Sequence, residues 1–304
     1  MPTDLIWLIT GVSSGLGLNL AKIILARGDK VIGTTRTLGG KPHHAPQVLG
    51  GDSNEENYKL IQLDLDWDTE KIQKAVTDAV GIWGRIDVLV NNAGYSHKGL
   101  AEEVGSAGFK QQFQTNFFAL MDVTNALLPH MRKRRSGTIV NIGSRTSWRA
   151  DFPGASIYGS SKAAVRVYSE GLATEIAPFG IRMLIVEPAS FKSDTFSKTP
   201  WDDKNLISDY AEVGLGPKQI NEAIQIRVKQ MKNDPHKGMN VLADVVRGEG
   251  VALKEEGNAK ELKKWPLYLF LGKEAVEGFK EKMEIMVEKT KEWEGIVGDL
   301  DCDE

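Results

Sequence analysis

Short, almost wholly apolar runs alternate along the chain with longer stretches in which apolar residues recur every three or four positions. The runs at 5–9, 30–35, 59–63, 86–90, 137–142 and 181–186 predict strands. Helical spacing predicts helices over 16–27, 69–80 and 109–131, and from near 154 onward. The first run, Leu5-Ile-Trp-Leu-Ile9, has no polar face, as expected of a parallel strand covered on both sides. Regular alternation of strand and helix predicts an α/β fold: a Rossmann-type, doubly wound parallel sheet with helices on both faces. Ligands of such sheets bind outside the carboxyl ends of the strands.

The alternation breaks over 190–250, which carries Phe191, Phe196 and Trp201 before helical patterns at about 217–231 and 235–247. We expect this segment to be a substrate-binding lid inserted in a single domain spanning 1–304. Residues 37–57 lack periodicity and read as a long loop. An apolar run at 265–271 predicts a last strand, with Pro266 favouring its start or an edge. A charged amphipathic helix follows over 274–293, and 296–304 reads as a disordered acidic tail.

Composition narrows the function classes. The 304 residues, 41% hydrophobic, suit one large globular domain. Thirty-eight Lys and Arg against 41 Asp and Glu leave a net charge of -3, which argues against a nucleic-acid partner. The basic cluster Arg132-Lys-Arg-Arg135 ends a helical pattern, where cations complement the helix dipole. One cysteine, Cys302, excludes an internal disulfide or a Cys-built zinc site, and no metal is expected. With no basic n-region and no apolar run near the ~18 residues of a membrane span, the expectation is a soluble, cytoplasmic protein.

Candidate chemistry clusters at the strand ends. Thr10-Gly-Val-Ser-Ser-Gly-Leu-Gly17 lies between a strand and a helix. Gly11 permits the tight turn, Gly15 lets a pyrophosphate approach the backbone, and Gly17 allows close helix–sheet packing. Free N–H groups at the helix start, around Ser13, Ser14 and Leu16, then face phosphates. The second strand ends Thr34-Thr35-Arg36 with no acid for a ribose 2′-hydroxyl, and Arg36 suits a 2′-phosphate, so NADP(H) is expected over NAD(H). Tyr158 and Lys162 are four apart on a helix and share a face. A phenol has a reference pKa of about 10, and an ammonium beside it favours the phenolate. Ser144, directly after the strand 137–142, is placed to polarise a carbonyl that Tyr158 protonates.

Taken together, the glycine turn, Asn91-Asn-Ala-Gly94, Ser144 and Tyr158-x3-Lys162 stand in an order and at a spacing that resemble the classical short-chain dehydrogenases/reductases. The resemblance covers about residues 4–195, and the later segments look like longer members with a C-terminal extension. It implies a seven-stranded sheet and hydride transfer to or from a nicotinamide. By position it assigns Tyr158 as general acid/base, Lys162 to the cofactor ribose and Ser144 to the carbonyl. Asn116 matches the mid-helix residue that holds a proton-relay water. Asp64 and Leu65 fall near the adenine, Asn92, Ala93 and Gly94 along the cofactor, and Pro188 and Ser193 beside the nicotinamide.

Departures from the family pattern are Glu187-Pro188-Ala189 in place of Pro-Gly, Ser193 in place of Thr, and Arg145-Thr-Ser147 after Ser144. Ser147 competes with Ser144 for the catalytic role, and Ser144 is preferred because it ends the strand. Tyr95, His97, Trp148, Phe152, Phe191, Phe196 and Trp201 form the expected substrate wall, although core packing explains each singly as well. Arg145 and Arg149 greet an anionic substrate or face water. The expected activity is reduction of a mainly apolar ketone. The alternatives are dehydration or isomerisation on the same fold, and a non-catalytic NADP(H) sensor. The two long helices, about 109–131 and 154–176, are expected to pair in a homodimer.

Overall fold

The computed structural model describes residues 4–38, 56–192, 199–256 and 259–298. Most of the expected loop at 37–57, together with Ser193, Phe196 and Cys302, lies outside the described residues.

Strands β1 (Ile6–Ile9), β2 (Lys30–Thr35), β3 (Tyr58–Gln62), β4 (Val88–Asn91), β5 (Gly137–Ile142) and β6 (Ile181–Pro188) are laid down in turn with a helix after most of them. The short β7 (Leu253–Glu256) and β8 (Ala259–Leu262) follow, and β9 (Tyr268–Leu271) completes the main sheet. Its seven strands run in the order β3-β2-β1-β4-β5-β6-β9, every pairing parallel. The order reverses between β1 and β4, so the loops leaving these strands diverge and open a crevice at their carboxyl ends.

Two apolar layers sandwich the sheet. On one face, side chains such as Leu8, Ile32, Leu89 and Ile139 pack with α2 (Thr69–Trp83), α4 (Ala119–Arg134) and α5 (Ser156–Ile176). On the other, Trp7, Ile9, Val90 and Leu184 pack with α1 (Gly15–Ala26) and a later helix, Pro235–Arg247. The fully buried indole of Trp7 donates to Asp29 Oδ2 at 2.9 Å, and Arg247 pairs with the same carboxylate oxygen at 2.5 Å. That bridge ties the late helix to the amino end of the sheet.

The expected helix over 109–131 starts earlier, as α3 (Ala101–Phe113), and continues into α4 through a π-helical turn, Gln114–Phe118. Such a turn inserts an extra residue and re-aims the side chains around it. Phe118 and Val167 stand exposed on the two long helices expected to pair.

The segment read as a lid over 190–250 divides into two parts. Helices α6 (Ser208–Glu212) and α7 (Pro217–Gln230) stand outside the alternation, where Ile220 and Ile224 pack with Leu100, Phe152 and Trp201. The next helix, α8 (Pro235–Arg247), does not belong with them, because it buries Met239, Leu242, Ala243 and Val246 against α1 and the sheet. Its apolar stripe is a sheet-facing layer. The β7–β8 hairpin was missed because Leu253-Lys-Glu-Glu and Ala259-Lys-Glu-Leu carry charge where strand patterns carry apolar residues. The last helix, α9 (Lys273–Val297), includes 296 and 297, which had been assigned to the tail, while 299–304 lie outside the described residues. Among the described residues no helix is long and apolar enough to cross a membrane.

Candidate active site

A continuous cavity of about 680 Å³ runs along the carboxyl ends of β1, β2, β4, β5 and β6. Gly11, Ser13, Ser14, Gly15 and Leu16 wall one end. Gly11 and Gly15 have φ of 71° and 61°, a region that side chains strain to adopt. Gly17 does not reach the cavity; a Cβ there would lie 2.3 Å from the Gly11 carbonyl and 2.4 Å from Asn92 Nδ2. Helix α1 therefore starts hard against the turn, and the Ser14 side chain makes no capping bond to its first N–H groups. Those donors remain for an anion.

Arg36, Asp64 and Leu65 line the same end of the cavity, after β2 and β3. The Arg36 carbonyl accepts from Gln62 Nε2 at 2.9 Å, which fixes the backbone beneath the guanidinium. Asn92, Ala93 and Gly94 line the middle. Asn92 Nδ2 donates to the Thr10 and Gly11 carbonyls at 2.8 and 3.0 Å, and Thr10 Oγ1 accepts from the Asn92 and Ala93 N–H groups. These bonds clamp the end of β4 to the glycine turn. A cradle of free helix N–H groups, a close-approach glycine and a guanidinium at the end of β2 fit a dinucleotide with a 2′-phosphate.

Ser144, Tyr158, Lys162 and Pro188 line the cavity beyond that cradle. Ser144 caps a short 3-10 turn (Arg145–Ser147), its Oγ accepting from Thr146 N at 3.2 Å and Thr146 Oγ1 at 2.8 Å. Tyr158 and Lys162 project from the first turns of α5, and Lys162 Nζ donates to the Ile142 carbonyl at 2.7 Å. Burial pushes the Tyr158 phenol up to about 12, with a hydrogen bond to Ser144 opposing the rise and the Glu187 carboxylate adding to it. The expected lowering by the ammonium is not found: Lys162 Nζ stands 5.9 Å from the Tyr158 ring centroid and is spent on a carbonyl. Burial pulls Lys162 down to about 8, against the Glu187 carboxylate, which raises it. At neutral pH the phenol therefore keeps its proton, the state a proton donor requires.

Asn116 sits in the π-helical turn, fully buried behind the cavity wall. Its Nδ2 donates to the Tyr95 carbonyl at 3.0 Å and to Ser161 Oγ at 3.2 Å, and its Oδ1 accepts from Tyr95 N at 3.1 Å. The amide is engaged with backbone and serine on both sides, and it braces the loop after β4.

Glu187, part of the departure from the family pattern, has a structural role. Its carboxylate is completely buried at the end of β6, where it accepts from Ser144 N and Ser147 Oγ, both at 2.9 Å. Burial raises its pKa to about 7, opposed by Ser147, by the Ser144 N–H and by Lys162 and Arg166. Ser147 is thus bound to this carboxylate and does not line the cavity, whereas Ser144 does. An acid closing an otherwise apolar strand was the signal, since a buried carboxylate is costly unless its partners are in place.

Of the expected substrate wall, Tyr95, Phe152, Phe191 and Trp201 line the cavity. His97 does not; its Nε2 lies 2.9 Å from Asp202 Oδ2, which anchors the loop after β4 to the segment at 202. Trp148 does not either. It packs edge-on to Phe279 of α9 at 4.8 Å and beneath the Arg166 guanidinium at 4.0 Å, so α9 rather than the cavity claims it. Arg149 pairs with Asp151 at 2.5 Å and with Glu281 of α9. Lys98 and Arg227 line the cavity and were not foreseen.

Comparison with known proteins agrees with this geometry. Residues 6–204 match the family profile described as short chain dehydrogenase. The chain is 31% identical over 289 residues, 95% of its length and 96% of the relative's, to Oxidoreductase BOA17 of Botryotinia fuckeliana. It is 33% identical to the NADP-dependent 3-hydroxy acid dehydrogenase YdfG of Salmonella typhi, over 72% of this chain and 87% of that protein. A solved short-chain dehydrogenase from Streptomyces avermitilis superposes with a TM-score of 0.80 at 34% identity, covering 98% of this chain and 99% of that one.

Proposed function

The chain belongs to the classical short-chain dehydrogenase/reductase family of NAD(P)-dependent oxidoreductases, and on that premise we propose that it uses NADP(H) to reduce the ketone of a mainly apolar small molecule. One observation carries the reading: Ser144, Tyr158 and Lys162 line the same cavity as the glycine turn and Arg36. The NADP-dependent relative supports the cofactor, as does the guanidinium at the end of β2.

The reduced cofactor supplies the hydride. Residues of the chain do the rest. Ser144 donates its hydroxyl hydrogen to the substrate carbonyl oxygen, and Tyr158, protonated at neutral pH, delivers the proton to the same oxygen. Lys162 holds the cofactor ribose, and the Glu187 carboxylate fixes the backbone of Ser144 from behind. Asn116 braces the loop that carries Tyr95. Tyr95, Phe152, Phe191 and Trp201 give the substrate an apolar, aromatic surround, and the segment from 199 through α7 closes over it.

The test is NADPH oxidation against a panel of ketones, with Tyr158→Phe as the control. The variant should lose about 10²- to 10⁴-fold in kcat, the usual contribution of a positioned general acid, while still binding NADPH. Equal oxidation by both proteins would remove Tyr158 from the chemistry. NADPH binding without turnover of any carbonyl would favour the sensor.

A further inference from the structure

We propose that the substrate cavity is built to take a carboxylate, so that the substrate is an amphipathic oxo acid whose anionic end is held by Lys98. This rests on the reading of the cavity as a carbonyl-reducing site and names the class of carbonyl compound. Lys98 is only 6% exposed, yet it lines the cavity. Its ammonium makes no hydrogen bond or ion pair among the described residues. Burial pulls its pKa down. Asp202, bonded to the Lys98 backbone through its N–H at 2.7 Å, commits its carboxylate to His97. An isolated parallel bridge to Trp201 pins the Lys98 backbone from the same side.

The covered stem leaves the ammonium facing the cavity with no partner among the described residues, and a ligand carboxylate supplies one. The rest of this end of the cavity is biased the same way. Among the described residues, Lys98, Arg145, Arg149 and Arg227 line it against the carboxylate of Asp151, which is already paired with Arg149. Arg227 is exposed and stacks 4.0 Å from the Phe152 ring centroid, so it stands at the rim, where it attracts anions without enclosing them. One unpaired ammonium facing the cavity matches a monoanion. A phosphate ester carries more charge and more acceptors than a single ammonium satisfies.

The test needs no turnover. Wild type, Lys98→Met and Lys98→Arg, each loaded with NADP+, are titrated calorimetrically with hexanoate, hexanamide and hexyl phosphate. Wild type should bind hexanoate about ten- to hundredfold tighter than hexanamide, the value of a charge-assisted hydrogen bond. That ratio should fall towards one in Lys98→Met and be retained in Lys98→Arg. Equal binding of acid and amide by wild type, tighter binding of the phosphate, or a preference that survives in Lys98→Met would each overturn the proposal. If the acid preference holds while no carbonyl compound oxidises NADPH, the anion site stands and the reductase reading falls.

Discussion

The two ends of the cavity are built by different means. At the cofactor end the lining is mostly backbone and small residues, held by bonds among Thr10, Gly11, Asn92 and the ends of β1 and β4. At the substrate end the lining is large side chains from four separated segments: Lys98, Phe152, Trp201 and Ile224 with Arg227. The first is fixed by what a backbone turn permits. The second is fixed by which side chains win places in a shared apolar cluster. Changes at the first end should therefore alter cofactor binding by itself, and changes at the second should sort by packing partner rather than by residue type.

Between the two ends, the larger effect is expected at the cofactor end. Arg36→Ser should raise KM for NADPH by about ten- to hundredfold, the value of a charge-assisted hydrogen bond, and leave KM for NADH nearly unchanged. Equal changes for both cofactors would mean that Arg36 does not meet a 2′-phosphate.

That asymmetry also explains what could be read in advance. Parallel strands, the glycine turn, Asn92, Ser144, Tyr158 and Lys162 depend on local sequence and on the strand ends, and the structure brings them to one cavity. Trp148 and His97 looked equally suited to a substrate wall, but α9 covers the one and Asp202 takes the other. Neither outcome has a local signal, because both depend on chain segments fifty or more residues away. Helix α8 was assigned to the lid since its stripe gives no direction, and only its packing against α1 shows which surface it serves. Glu187 and Lys98 were legible in principle: each is a charged residue in an apolar or loop context that the fold buries almost completely.

A smaller effect tests the substrate end. Trp148→Ala should cost roughly 2 kcal/mol of stability, below the ~3–5 kcal/mol of a fully buried Trp, with little change in KM. Phe152→Ala should do the opposite and raise KM for an apolar ketone by about tenfold through lost contact area. Thermal unfolding and steady-state kinetics on the two variants decide it. A KM effect from Trp148 equal to that from Phe152 would put the indole back in the wall.

The smallest effect is a shift in pH dependence. With Tyr158 held at about 12, its ionisation should leave reduction untouched through neutral pH. The descending limb belongs to Lys162, which loses its proton as pH rises through about 8. The Glu187 carboxylate raises the Lys162 pKa, so Glu187→Gln should move that limb to lower pH. A kcat/KM profile of wild type and variant shows the sign, and a limb that stays put or moves upward would uncouple the two groups.

In the proposed reaction hydride passes from NADPH to a carbonyl carbon while Tyr158 protonates the oxygen. Reduction with NADPH carrying deuterium at the transferred position tests it directly, with the product read by mass spectrometry. One deuterium is expected on the carbinol carbon of the alcohol. A product without deuterium, or a substrate rearranged or dehydrated with NADPH unconsumed, would contradict it.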